Sequence, residues 1–242
     1  CTHSLGPVMY ITDTMPVKVN GFVVPYDYDD ENKRMRVSVS DTACCIIIRM
    51  DNGAIVKAVH GGLRGHGVWV RIHCNKGLME NLRVGDNSMF RVRKEPFDKK
   101  PGEPVEKIYR PELPSYAREA AKHGHGGGDF FTIYFFAQAI KTGKQPYMDV
   151  YRGVAMSITG IQAYRSALND SNTLDIPDFR KKSEREKYAQ DDWNPDPTRR
   201  KKGYPLPSIL GEIKLSKEAI ASARKIWAEK GFREKEQSKY GK

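Results

Sequence analysis

The sequence predicts an α+β fold: an open, mostly antiparallel β-sheet with helices packed on one face. Three observations predict it. Apolar and polar side chains alternate at a two-residue period through much of residues 17–93, an Asp-Asn-Gly turn at 51–53 separates two apolar runs, and the long helical stretches follow the sheet region rather than alternating with its strands. At 242 residues the chain is long enough to bury a core, and it divides into one large domain at 1–179 and a charged extension at 180–242.

In chain order, Val17, Val19 and Phe22 to Val24 make a first strand, and Met35, Val37 and Val39 alternate with Arg36, Ser38 and Ser40 as in a half-buried second one. Cys44 to Met50 and Ala54 to Val59 flank Asp51-Asn52-Gly53, where Asn-Gly supplies the positive φ values of a tight hairpin. Val68 to Cys74 and Leu78 to Val84 repeat that pattern across Asn75-Lys76-Gly77, and Pro96 to Pro114 reads as an irregular surface loop. Asp129 to Thr142 is apolar on nearly every face, so a buried helix stopped by Gly143 is expected. A second helix is expected from a cap at Asp149 to about Leu168, with Val150, Val154, Ile158, Ile161 and Ala167 turned inward; together the two would roof one sheet face. Beyond Phe179 the composition turns charged and proline-broken until Ser216 to Lys230, a last amphipathic helix capped by Ser216.

The formal charge is +11, concentrated at Arg91 to Lys100 and at Arg180 to Lys202. Both stretches are broken by proline or interleaved with acids, which reads as a solvated surface rather than a nucleic-acid site. Cys1, Cys44, Cys45 and Cys74 have no Cys-x-x-Cys spacing, and the adjacent pair falls in an apolar run, as core thiols do. No apolar run approaches membrane-spanning length.

The stretch Gly124-His125-Gly126-Gly127-Gly128-Asp129-Phe130 opens the first long helix. Successive glycines there leave N–H groups accessible to an anionic or hydroxyl-rich ligand; read alone, the turn is equally a loop that tolerates positive φ. His60, His66, His73 and Cys74 resemble a metal cluster in composition, but neighbours such as His73 and Cys74 in a strand point to opposite faces. No carboxylate or spacing rule singles out a site from His3, His123 and His125 either, so no metal is expected. There is no G-x-S-x-G elbow, no HExxH, no P-loop and no GxGxxG after a strand. His3 stands at the start of a short helix; Asp149, Tyr151 and Arg152 read equally as a capped helix start with an exposed arginine.

In order, Thr2-His3-x-x-Gly6-Pro7, Gly53 after a hairpin, Cys74-Asn75-Lys76-Gly77, the glycine-rich turn from Gly124 to Phe130, and Asp149-Val150-Tyr151-Arg152-Gly153 resemble the C-terminal domain of the Gfo/Idh/MocA family. The closer resemblance, over about residues 1–179, is to its NAD-dependent glycosidase branch, typified by alpha-N-acetylgalactosaminidase. The resemblance implies a two-domain enzyme in which an N-terminal Rossmann domain, absent from this sequence, holds NAD(P). This chain would then bind no cofactor, would be inactive by itself, and would supply carbohydrate contacts and a homo-oligomer interface through the sheet face.

By the same resemblance His3 is the catalytic histidine that exchanges a proton with a sugar hydroxyl. His125 and Asp129 line the sugar pocket, and Tyr151 lies near it. The branch cleaves glycosides by transient oxidation and elimination, which needs no flanking pair of carboxylates; simple sugar dehydrogenation is the sister outcome. The chain opens at Cys1 without the family's Glu-Lys-Pro segment and is expected to be a piece of a longer protein. A structural oligomerisation module and a basic nucleic-acid binder are the competing readings, the latter ranked last, and no membrane partner is expected.

Overall fold

The computed structural model describes residues 2–25, 41, 43–61, 68–112, 115–194, 199–213 and 216–229. They form two compact units, one of residues Cys1–Arg64 with Val150–Lys242 and one of Gly65–Asp149. The strand expected at Met35 to Val39 lies outside the described residues.

The first unit opens with helix α1 (Thr2–Thr12), followed by strands β1 (Pro16–Val24), β2 (Ala43–Met50) and β3 (Ile55–Gly61). The β2–β3 hairpin forms where the sequence predicts it. Only Gly53 takes a positive φ, and Asn52 instead accepts the Ala54 N–H at 3.0 Å, so the loop is the three-residue kind with glycine last. Val19, Ile46, Ile48 and Ala58 point to one face of the sheet, where Leu5 and Met9 of α1 complete the core. The other face is also apolar: Phe22, Cys45 and Val59 form one cross-strand row, and Phe22 and Val59 stand 53% and 56% exposed. Cys44 and Cys45 are only half-buried, because the pair straddles the two faces, and burial raises the Cys44 thiol above its usual value.

The second unit, Gly65–Asp149, is built on a sheet of its own. That unit carries β4 (Arg71–Cys74), β5 (Gly77–Asn81), β6 (Phe90–Lys94) and β7 (Glu106–Tyr109) in an antiparallel sheet of that order, then α2 (Ala117–Ala120), a single 3-10 turn at His125–Gly127 and α3 (Gly128–Thr142). The strands expected at 68–74 and 78–84 are shorter than predicted. β7 lies inside the segment expected to be a loop; all four of its residues are exposed, so this edge strand shows no burial alternation to read. The core of this sheet is polar. Glu80 is buried and accepts from Arg71 Nε at 2.7 Å and Arg91 Nη1 at 3.0 Å, while Asn81 receives the Val70 N–H at 2.7 Å and donates to the Val68 carbonyl at 3.0 Å.

The Arg71 guanidinium, followed by that of Arg91, outweighs the burial of Glu80 and holds its carboxyl below the ordinary value of 4.5. Because the folded value is depressed, this stabilisation is complete above pH 4.5 and is lost as pH falls through the folded value. Glu80→Gln is therefore expected to weaken β4–β6 by about 1–2 kcal/mol at pH 7, less than for a fully buried pair because both arginines touch water. Amide hydrogen exchange should show the loss at pH 7 and a smaller gap at pH 4; equal protection in both proteins at pH 7 would contradict it.

α3 ends at Gly143, whose N–H reaches the Ala139 carbonyl at 2.8 Å, as expected. Its predicted burial is wrong: none of its residues is buried, and Ile133 and Ile140 are 67% and 70% exposed. Aromatic rings one turn apart cover one another instead, with Phe130 stacked on Tyr134 at 6.0 Å and Phe131 on Phe135 at 6.1 Å.

Returning to the first unit, α4 (Val150–Leu168) lies on β1, and β8 (Leu174–Asp175) extends the first sheet to the order β3-β2-β1-β8. Ile158 and Ala167 face inward as expected, but Val150 and Ile161 are exposed. The buried stripe is completed by Met156 and by Ala155, Thr159, Gln162, Ala163 and Ser166, small or polar residues that let the helix approach closely. Gly21 is the point of closest approach, since a Cβ there would overlap the Ala163 carbonyl; its N–H bonds to Ser166 Oγ at 3.0 Å.

After α5 (Lys182–Lys187) the chain runs back over α4 before α6 (Lys217–Glu229), whose first turn is capped by Ser216 through the Ala219 N–H at 3.1 Å. Trp193 stacks on Tyr164 with centroids 5.8 Å apart, Arg165 pairs with Asp191 at 2.7 Å, and the Tyr164 hydroxyl donates to the Pro207 carbonyl. Asp41 accepts from Ser208 Oγ at 2.6 Å and from the Ile209 N–H at 3.0 Å. Burial, and then the Asp41 charge, push the Tyr164 hydroxyl well above its usual value, so it remains a donor.

Candidate functional site

His3 stands in the first turn of α1 with its ring exposed and Nδ1 3.3 Å from Thr2 Oγ1. The helix beneath it is fixed: Leu5 and Met9 are fully buried, and a Cβ on Gly6 would lie 3.2 Å from Met156 Sδ on α4. Pro7 has no N–H to offer the His3 carbonyl four residues back, yet its fixed φ suits an early helical turn. The Thr-His-x-x-Gly-Pro pattern thus makes a rigid post that carries an exposed imidazole.

Tyr151 lies in the first turn of α4, which packs against α1, and lines a cleft of about 560 Å³ within the first unit. Met15, Asp51, Asp178, Arg180, Lys181 and Tyr188 share its walls. The Arg180 guanidinium, 2.8 Å from Asp178, holds that carboxyl below the usual carboxylate range. Arg152 is not the exposed arginine of the sequence reading. It is half-buried and reaches Asp13 at 3.1 Å, tying the start of α4 to the residue that follows α1.

In the second unit the structure brings two predicted residues together: His125 Nδ1 is 2.8 Å from Asp129 Oδ1. The amides of this turn are less available than the glycines suggest, because the Gly127 and Asp129 N–H groups both point to the Gly124 carbonyl, at 3.1 and 3.4 Å. The Asp129 carboxylate also fills the space beside Gly124. A dinucleotide pyrophosphate does not fit here, since a fixed negative charge stands where it would need bare amides.

Among the described residues, no three His, Cys, Asp or Glu side chains gather as metal ligands, and no helix is long and apolar enough to cross a membrane. Several cations of the basic stretches are paired, including Arg91 with Glu80 and Glu106, Lys94 with Glu103 and Lys201 with Asp192. The sequence reading missed the Glu80 network and the Arg152–Asp13 tie. Alternating charge on neighbouring strands was the signal for the first; nothing local marks the second.

A sequence profile for the glycosyl hydrolase 109 C-terminal domain matches residues 13–186. The chain belongs to that family. A glycosyl hydrolase family 109 protein of Parabacteroides distasonis is 25% identical over 198 residues, covering 74% of this chain and 41% of that protein. The alpha-N-acetylgalactosaminidase of Shewanella oneidensis is 36% identical over 56 residues, 23% of this chain and 12% of that enzyme. In structure, levoglucosan dehydrogenase in complex with NADH and levoglucosan superposes with a TM-score of 0.56 at 15% identity, covering 73% of this chain and 49% of that one.

The chain thus spans less than half the length of these relatives. At 15% identity the structural likeness speaks for the fold. The open antiparallel sheets with helices agree with the predicted fold class, and the resemblance drawn from the motifs holds for the glycosyl hydrolase 109 branch.

Proposed function

We propose that this glycosyl hydrolase 109 domain is the carbohydrate-handling half of an NAD-dependent enzyme, and that it is inactive without the residues that hold the dinucleotide. The observation that carries this reading is the family match over residues 13–186. The exposed imidazole on the rigid α1 post supports it. In this reading His3 accepts and returns the proton of a sugar hydroxyl, His125 and Asp129 meet the sugar through hydrogen bonds, and Tyr151 contributes from its cleft. NAD supplies redox chemistry from residues outside this sequence, as the turn at Gly124–Gly128 does not suit it.

The relatives' names frame two outcomes, glycoside cleavage as in an alpha-N-acetylgalactosaminidase and sugar oxidation as in a dehydrogenase. With the whole enzyme, 4-nitrophenyl α-N-acetylgalactosaminide is expected to release nitrophenol in the presence of NAD with no net NADH. Accumulating NADH on a free sugar selects the dehydrogenase instead. By calorimetry the 242-residue chain alone is expected to show no NAD binding; micromolar affinity would overturn this division of labour.

A specific observation favours a second role alongside the first. Phe22 and Val59 stand exposed on the sheet face opposite the core, with Ile55, 52% exposed, on the same side, and such a face suits pairing with a second copy. Light scattering after size exclusion should give more than the monomer mass, and a monomer at high concentration rejects it.

A further inference from the structure

We propose that Asp129 is a positioning residue, whose carboxylate holds the His125 ring by Nδ1 so that Nε2 is the nitrogen presented to the ligand. The inference rests on the reading above that this turn meets a carbohydrate, and it changes the part Asp129 plays there from touching the sugar to aiming the histidine.

Four features converge on it. His125 Nδ1 and Asp129 Oδ1 are 2.8 Å apart. A carboxylate only accepts, so the neutral ring must carry its proton on Nδ1 and leave the Nε2 lone pair free. The second carboxylate oxygen sits where a Cβ on residue 124 would be, so the glycine there is the seat that lets Asp129 turn back toward the histidine. The backbone is set to match. His125 takes the left-handed conformation at φ 54°, followed by Gly126 at 63° and Gly127 at 99°, and a non-glycine residue is held there only when its surroundings impose it. Finally, the Asp129 N–H points to the Gly124 carbonyl, which closes the turn on itself.

The test is nitrogen NMR of the full 242-residue chain labelled in histidine, with H125A to assign the ring. The expected result is an Nδ1–H ring in the native chain. Asp129→Ala should shift it toward the Nε2–H form that a free imidazole favours. Gly124→Ala should do the same, since it displaces the carboxylate while leaving both side chains present. An unchanged tautomer balance in both variants, with circular dichroism showing them folded, overturns the proposal. Titration with N-acetylgalactosamine separates this from the reading beneath it. Sugar-induced shifts at His125 that weaken severalfold in Asp129→Ala support both. A native Nδ1–H ring that the sugar never perturbs upholds the positioning and overturns the carbohydrate role.

Discussion

Truncating the imidazole of His3 is expected to remove about 10²–10⁴-fold of kcat from the whole enzyme, the range for losing a general acid–base group. KM should change little, because the proton moves only in the transition state. The side chain is exposed and hydrogen-bonds to the neighbouring Thr2, so His3→Ala leaves the fixed helix beneath it, with Leu5 and Met9 still buried. Steady-state kinetics and a melting curve together make the check. Activity within threefold of the parent would remove His3 from the mechanism, whereas a parallel fall in Tm would show that the residue serves the fold.

The second large effect is on stability. Gly21→Ala is expected to cost about 3 kcal/mol, because the new methyl overlaps the backbone of Ala163 and the main chain of α4 must move rather than a flexible side chain. The shift would also loosen the Gly21 N–H bond to Ser166 Oγ. Gly153→Ala in the same helix is the control. Nothing lies within 4 Å of its added Cβ, so it should stabilise the helix by about 0.5–1 kcal/mol. Urea titrations read both signs, and a neutral Gly21→Ala would mean that α4 does not rest on β1 this closely.

These two glycines illustrate what the sequence makes legible. Elements with a strong local signal were readable to within a residue or two: the hairpin about Gly53, α3 to its stop at Gly143, α4 from Val150 and α6 behind Ser216. Properties that depend on the far side of a residue were not. The apolar surround of α3 reads as burial, yet its rings pack on each other one turn apart. Gly21 reads as an ordinary strand glycine until α4 is laid across it.

The same limit holds at the site. The motif order identified His3, His125, Asp129 and Tyr151 as residues of interest, but the pairing of His125 with Asp129 depends on a backbone turn that glycine content alone does not fix. The acid that neutralises Arg71 and Arg91 is nine and eleven positions away from them, visible only once the strands are in register.

The path of the chain beyond α5 bears on anyone who trims this gene. The family profile ends at residue 186, but Trp193, Pro207 and Ser208 are fastened to Tyr164 and Asp41 in the body of the first unit. A clone cut at the profile's border would strip a ring from Tyr164 and leave Asp41 without the donors that clasp it. The homology border and the border of the packed structure therefore fall at different codons.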